Sequence, residues 1–154
     1  PEPTTTSLDW ASLGLAEHPS EILAGPGAGA TGFLIAVLDD AAAVRSARFD
    51  PSALARSEDR PLVLTAPGDG NLDVVSRVFA PTLGIAEDAV TGSAHAVLAP
   101  YWAHRLGRDT LECHQASRRG GDLRAIVTAD RVVLTGRAVV MGHLMLTQVA
   151  SPPL

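Results

Sequence analysis

Glu87-Asp88-Ala89-Val90-Thr91-Gly92-Ser93-Ala94-His95 sets two carboxylates ahead of a Thr-Gly-Ser turn, and a run of small apolar residues follows. This order predicts a loop carrying an acid or base at the mouth of a helix. The first amides of a helix lack intrahelical partners and the peptide dipoles add there, so a helix start attracts anions. A carboxylate facing such an anion hole suits the movement of a proton on a small acid. The helix itself is predicted over residues 93–106, with Ala94, Val97, Leu98, Tyr101, Trp102 and Leu106 as its core positions and Gly107 as its stop. Pro100 falls inside it. A proline there removes one hydrogen bond and frees the carbonyl of Ala96, so a kink is expected.

The remaining elements place that helix in an α+β fold. Ser7 reads as the cap of a first helix, with apolar positions at Leu8, Ala11 and Leu15. Residues 25–32 are rich in Gly and Ala and read as a loop. Residues 33–38 are all apolar, which suits a strand buried on both faces. Asp39 or Asp40 caps a short helix, and Asp50-Pro51 opens another, since proline suits a first helical turn. Strands are predicted over 61–65 and 72–79, around a turn at 67–71. After Gly107 the chain reads as β: 110–115, 122–128, 131–134 and 138–147, the last three as an antiparallel meander. The expected architecture is a curved, mostly antiparallel sheet or barrel around the one long helix, a single domain over residues 1–154.

Composition excludes several classes of function. With 154 residues, 46% hydrophobic and 19% charged, the chain is long and apolar enough to bury a core. A net charge of -5, with no run of Lys or Arg, argues against nucleic acid. One cysteine, Cys113, allows neither an internal disulfide nor a cysteine-based metal cluster, and its strand-like setting predicts a buried, inert thiol. No apolar run approaches the ~20 residues that span a bilayer, and no signal segment is read, so a cytoplasmic location is expected. His18, His104, His114 and His143 show no metal-ligand spacing, and no metal is expected. The Gly-rich segment 25–32 precedes a strand and lacks the dinucleotide and Walker patterns. Gly92-Ser93 lacks the nucleophile-elbow pattern, which argues against a serine nucleophile.

From about Leu8 to Leu146 the order of motifs resembles the phenazine-biosynthesis-type isomerases, of the diaminopimelate-epimerase fold. The resemblance is carried by Ser76-Arg77-Val78-Phe79-Ala80-Pro81, by the signature at 87–95, by Leu98-Ala99-Pro100-Tyr101-Trp102, and by Gln115-Ala116-Ser117-Arg118-Arg119-Gly120-Gly121. Arg131-Val132 and Gly136-Arg137-Ala138 also fit. Ala89 departs from the family's usual proline, and Ala96 from a common cysteine. The family has two similar halves, each a sheet around a central helix, with the site between them. This chain resembles the second half alone, so the half that supplies a glutamate acid/base is expected from elsewhere.

The resemblance implies that Asp88 helps handle a migrating proton or amino group, without a cofactor. It implies that Ser93, with the amides of Gly92, Ser93 and Ala94, holds a substrate carboxylate. Against this, spacing alone favours Glu87 and Asp88 as caps of the loop and helix start, and Ser93 also reads as a helix cap. Thr91 shapes the turn. His95 is either a substrate contact or a hydrogen-bonded structural residue, and Glu87 reads as structural. Three functions follow: half of an isomerase acting on a small amino or hydroxy acid in specialised metabolism, a module that binds a small carboxylate, or an assembly subunit. The expected partners are a small carboxylate and either a separate first-half subunit or a second copy in a homodimer.

Overall fold

A computed structural model of the chain describes residues 3–6, 10–15, 18–26 and 32–145. Nine strands make one sheet: β1 (Thr4–Thr5), β2 (Glu21–Gly25), β3 (Phe33–Val37), β4 (Leu62–Pro67), β5 (Val74–Ala80), β6 (Ile85–Asp88), β7 (Thr110–Gln115), β8 (Gly121–Val127) and β9 (Val132–Gly136). Three α-helices accompany it: α1 (Ala41–Ser46), α2 (Pro51–Ser57) and α3 (Gly92–Leu106). The strand order is β1-β2-β3-β4-β5-β7-β8-β9, with β6 pairing β5 to one side. Only β3 with β4 and β5 with β7 run parallel. The other pairings are antiparallel, as expected for this fold class.

Helix α3 explains the curvature. Its Tyr101 hydroxyl donates to Glu21 of β2, Trp102 Nε1 donates to Thr65 of β4, and His95 meets Ser76 of β5. The same helix packs against β7, β8 and β9. Laid flat, seven strands from β2 to β9 would span roughly 29 Å, while a helix is about 10–12 Å across. One helix reaches all of them only because the sheet bends around it. The sheet stays open, with β1 and β9 at its ends. Ala94, Leu98, Ala99, Trp102 and Ala103 fill the concave side with Val63, Val74, Leu111 and Ala125. Small residues on α3 let the strands approach it closely.

The convex side of β3, β4 and β5 carries a second core. Leu34, Ala36, Leu62, Leu64, Val75 and Phe79 meet Val44 of α1, Leu54 of α2, and Trp10 and Leu13 of a 3-10 helix over Trp10–Leu13. That double cover is why β3 is buried at all five positions. Asp40, not Asp39, caps α1: its carboxylate accepts from the Ala43 amide at 2.8 Å. Asp50 caps α2, with Pro51 in the first turn, and accepts from the Ser52 amide at 2.9 Å. Gly107 ends α3 at φ 64°, a left-handed conformation that glycine adopts without a Cβ clash.

Several expectations needed correction. The first helix is a short 3-10 turn, and Ser7 and Leu8 lie outside the described residues. β2 begins at Glu21 and includes Gly25, so it occupies a position read as the start of a loop. Residues 85–88 form β6 rather than a loop, since they pair along β5 through Val78 and Ala80. Leu106 is exposed, and Val97 and Tyr101 are half-buried. The meander is β7-β8-β9, and the strand expected over 138–147 is absent as far as residue 145. The apolar pattern there is real, but residues 137–145 pair with no strand of the described chain, although the outer edge of β9 is open. The long helix is present as expected, as α3 over Gly92–Leu106 with Pro100 inside it.

Candidate functional site

Strand β6 separates the two carboxylates of the signature. Successive side chains on a strand point to opposite faces, so Glu87 and Asp88 have different surroundings. Glu87 takes two hydrogen bonds from Arg77, at 2.7 and 3.1 Å, and the pair is largely buried. Arg77 also donates to the Ala47 carbonyl at 2.8 Å, which ties β5 to the end of α1. Glu87 is thus a structural anchor. Asp88 turns the other way, into a cavity of about 390 Å³.

That cavity gathers Asp88, Thr91 and Ser93 at one end. Phe33, Pro61, Val78 and Ala80 form its apolar wall, Leu83 and Ile85 stand at exposed positions around it, and Asp59 lines it as well. Thr91 donates its hydroxyl to Asp88 Oδ2 at 2.5 Å. This engages one carboxylate oxygen and leaves Oδ1 without a partner among the described residues. Thr91 is the N-cap residue of α3, yet its Oγ1 accepts from no helix amide; the hydroxyl donates to Asp88 and accepts from Gln115 Nε2 instead. The first amides of α3, from Gly92, Ser93 and Ala94, remain available for an anion. Gly92 and Ser93 are exposed, while the Ala94 side chain is buried in the core beneath.

Gln115 holds this arrangement in place. Its Oε1 accepts from the Thr91 amide at 2.7 Å, and its Nε2 donates to the Asp88 carbonyl at 2.8 Å and to Thr91 Oγ1 at 3.2 Å. The amide orientation is fixed by these partners. A chain of donors then runs from Gln115 through Thr91 to the Asp88 carboxylate, the direction an ionised acceptor favours. Ser117 secures the next residue by donating to the Ala89 carbonyl at 2.7 Å. Gly121 makes room for the loop: a Cβ there would lie 2.3 Å from Val90 Cγ2. Gly121 of the sequence motif thus has a steric cause, and Gly120 beside it takes a left-handed φ of 71°. Gln115 and Ser117 were visible as motif positions, but their grip on the Asp88 loop depends on β7 lying beside β5, a contact remote in sequence. Asp59 carried no sequence signal.

His95 lies beneath the site rather than along the cavity. It is 1% exposed. Its Nδ1 sits 2.8 Å from the Thr91 carbonyl, which can only accept, so Nδ1 carries the proton. Nε2 of the neutral ring then accepts from the Ser76 hydroxyl at 3.2 Å. Burial pushes the imidazole pKa down, against a smaller upward pull from the Thr91 carbonyl. Cys113 is buried too, and desolvation pushes its thiol up to about 12, where it is unreactive at neutral pH. Arg118 and Arg119 are exposed beside Ser117, along a separate shallow depression shared with Glu87 and Ala89. No helix among the described residues is long and apolar enough to cross a membrane.

The fold and site together define a class: an α+β half-shell with a ligand-sized cavity at the N-terminus of its central helix. The chain belongs to the PhzC-PhzF family of phenazine biosynthesis-like proteins, whose pattern matches residues 5–143. It is 46% identical over 138 residues to an uncharacterized isomerase of Pseudomonas aeruginosa, covering 90% of this chain and 49% of that one. A second uncharacterized isomerase of the same organism is 39% identical over 139 residues, covering 90% of this chain and 50% of its own. The crystal structure of a phenazine biosynthesis protein of the PhzF family from Enterococcus faecalis superposes with a TM-score of 0.74 at 36% identity. That match covers 90% of this chain and 53% of the other. The chain therefore spans about half the length of the relatives it matches.

Proposed function

We propose that this chain is the second half of a cofactor-independent isomerase or epimerase that moves a proton on a small amino or hydroxy acid. The observation that carries this is the shared cavity, with Asp88 Oδ1 free, Ser93 exposed, and the first amides of α3 opening beside them. The names of the P. aeruginosa relatives support isomerisation as the reaction class. Ser93 and the α3 amides hold the substrate carboxylate, and Asp88 exchanges a proton with the bound substrate through Oδ1. Thr91 and Gln115 orient that carboxylate, so they are positioning residues.

Isomerisation of this kind needs proton-transfer groups on both sides of the substrate. One group removes a proton from carbon, the electron pair passes into the adjacent conjugated or carboxylate group, and a second group returns a proton at the new position. The cavity supplies one side. A first-half module of the family brings the opposing acid, on a separate polypeptide or on a longer chain. Specialised metabolism in the cytoplasm is the setting we assign to it. The test is solvent-deuterium uptake at the substrate carbon, measured for small amino and hydroxy acids with this chain and a first-half polypeptide together. Uptake that falls at least ~100-fold with Asp88→Asn, within the span of one general acid/base group, is the expected result. No uptake for any acid, or uptake indifferent to Asp88→Asn, would sink the reading.

A further inference from the structure

One acidic residue of the Asp88 cavity takes no part in the proton transfer. Asp59 lines that cavity from the short link between α2 and β4. The link is fixed at several points. The Glu58 amide donates to the Leu54 carbonyl at 2.9 Å and closes α2, and the Pro61 carbonyl accepts from the Leu34 amide at 2.9 Å. Between them the Thr82 hydroxyl donates to the Asp59 carbonyl at 3.1 Å. The neighbouring cation is already engaged: Arg60 donates to Glu58 Oε1 and Oε2 at 2.8 and 2.7 Å. The Asp59 carboxylate is exposed and has no hydrogen bond or ion pair among the described residues.

Strand register sets Asp59 apart from Asp88. Val78 of β5 lies opposite Asp88 on one side and opposite Val63 on the other, and Phe79 lies opposite Leu62. Continuing that register puts Pro61 level with Ala80. Asp88 and Pro61 are thus two strand spacings apart across the sheet and two residues apart along it, roughly 12 Å between backbones. Asp59 lies beyond Pro61. The space between is apolar, walled by Phe33, Val78, Ala80, Leu83 and Ile85. No Arg, Lys or His lines the cavity among the described residues. The cavity therefore has an anion-accepting end at the start of α3, an apolar middle and an acidic far end. An ammonium group on the substrate carbon beside Asp88 is too far away to meet Asp59. A second cation, carried on an apolar chain, spans the gap.

We propose that Asp59 is a specificity residue, pairing with a cationic group at the far end of the substrate. The acid taken by this site then carries its carboxylate and an ammonium or guanidinium group at opposite ends of an apolar chain, as a basic amino acid does. This rests on the reading that Ser93 and the α3 amides hold the substrate carboxylate. The Glu58–Arg60 pair has a part in it, because a free guanidinium one residue away would compete for Asp59. A neutral acid of the same shape keeps the anion hole and the apolar wall, and forgoes the ion pair.

The test titrates this chain with 6-aminohexanoate and 8-aminooctanoate, each beside the unsubstituted acid of the same chain length, and follows backbone amide shifts by NMR. All four acids should move the amides of Ser93 and Ala94. The better-fitting amino acid should also move those of Asp59 and Arg60, and bind roughly fivefold tighter than its neutral counterpart, the upper end for an exposed ion pair. That preference should shrink as salt is added. Asp59→Asn should remove it and Asp59→Glu should retain it, with the urea midpoint unchanged in both, because the side chain is exposed. Equal binding of charged and neutral acids at the α3 start overturns the distal cation site and leaves the proton-transfer reading standing. A preference that survives Asp59→Asn overturns the assignment to Asp59. Acids that leave the Ser93 and Ala94 amides unmoved overturn the carboxylate site, and this inference with it.

Discussion

The β3–β4–β5 wall and the β9 end of the same sheet are both rich in Val, Leu and other apolar residues, yet only one is finished. Leu34, Leu62 and Leu64 are wholly buried, because α3 covers one face of their strands and α1, α2 and the 3-10 helix cover the other. At the far end Val133 is 44% exposed, and residues 137–145 are exposed and pair with no strand among the described residues. Apolar content makes a stable strand only where the chain also supplies its cover. The first wall has α3 on one face and residues 10–57 on the other, while the β9 end has α3 alone among the described residues. The Asp88 cavity opens at the edge of the first wall, against Phe33, Val78 and Ala80.

This contrast can be broken most easily by its largest expected effect. Leu64→Ala should cost about 2–5 kcal/mol, the usual range for emptying a packed core position. Met141→Ala should cost less than ~0.5 kcal/mol, as expected of a side chain already in water. Urea unfolding of the two variants measures both, and similar losses would show that the bare end is not bare in solution.

A smaller loss separates the site loop from the walls. Gln115→Met preserves volume but leaves the Thr91 amide and the Asp88 carbonyl without their partner. Each unpaired buried group costs about 1–3 kcal/mol; these two are only part-buried, so the low end for the pair, about 2 kcal/mol, is expected. If Gln115→Met is neutral in urea unfolding, the loop is held by something other than this amide.

These residues also mark how far the sequence could be read. The apolar run at 33–38, the caps at Asp40 and Asp50, and the stop at Gly107 were legible because each is settled by residues a few positions apart. The signature at 87–95 located Asp88 and Ser93, which the fold brings to one cavity with Thr91. What stayed hidden depends on distant pairing. β6 exists because β5 offers it an edge, and β2 because β3 does. The run at 138–147 had a strand's composition, but composition alone does not pair it with an edge. Gln115 stood in a visible motif, but its purpose needed β7 beside β5.

The smallest effect concerns pH and the support beneath the site. Burial holds the His95 pKa in the folded state below its ordinary 6.5. Above that pH both folded and unfolded chains carry a neutral ring, and His95 adds no pH dependence. As pH falls through 6.5 the unfolded chain takes up a proton that the folded chain resists, so stability drops, by at most about 1.4 kcal/mol per pH unit. His95→Gln should remove that slope below pH 6.5 while leaving the acid unfolding that other groups cause. Urea midpoints for both proteins across that range measure it, and parallel curves would mean that His95 is solvated.

The claim on which the rest depends is that the cavity is half of a site. The most direct measurement holds this chain at fixed concentration, adds the first-half polypeptide, and records solvent-deuterium exchange into a small amino or hydroxy acid substrate. Exchange absent from either piece alone and rising to a plateau at one-to-one is the predicted result. Exchange by this chain alone at the rate of the mixture would contradict it, and would make the Asp88 cavity a complete site.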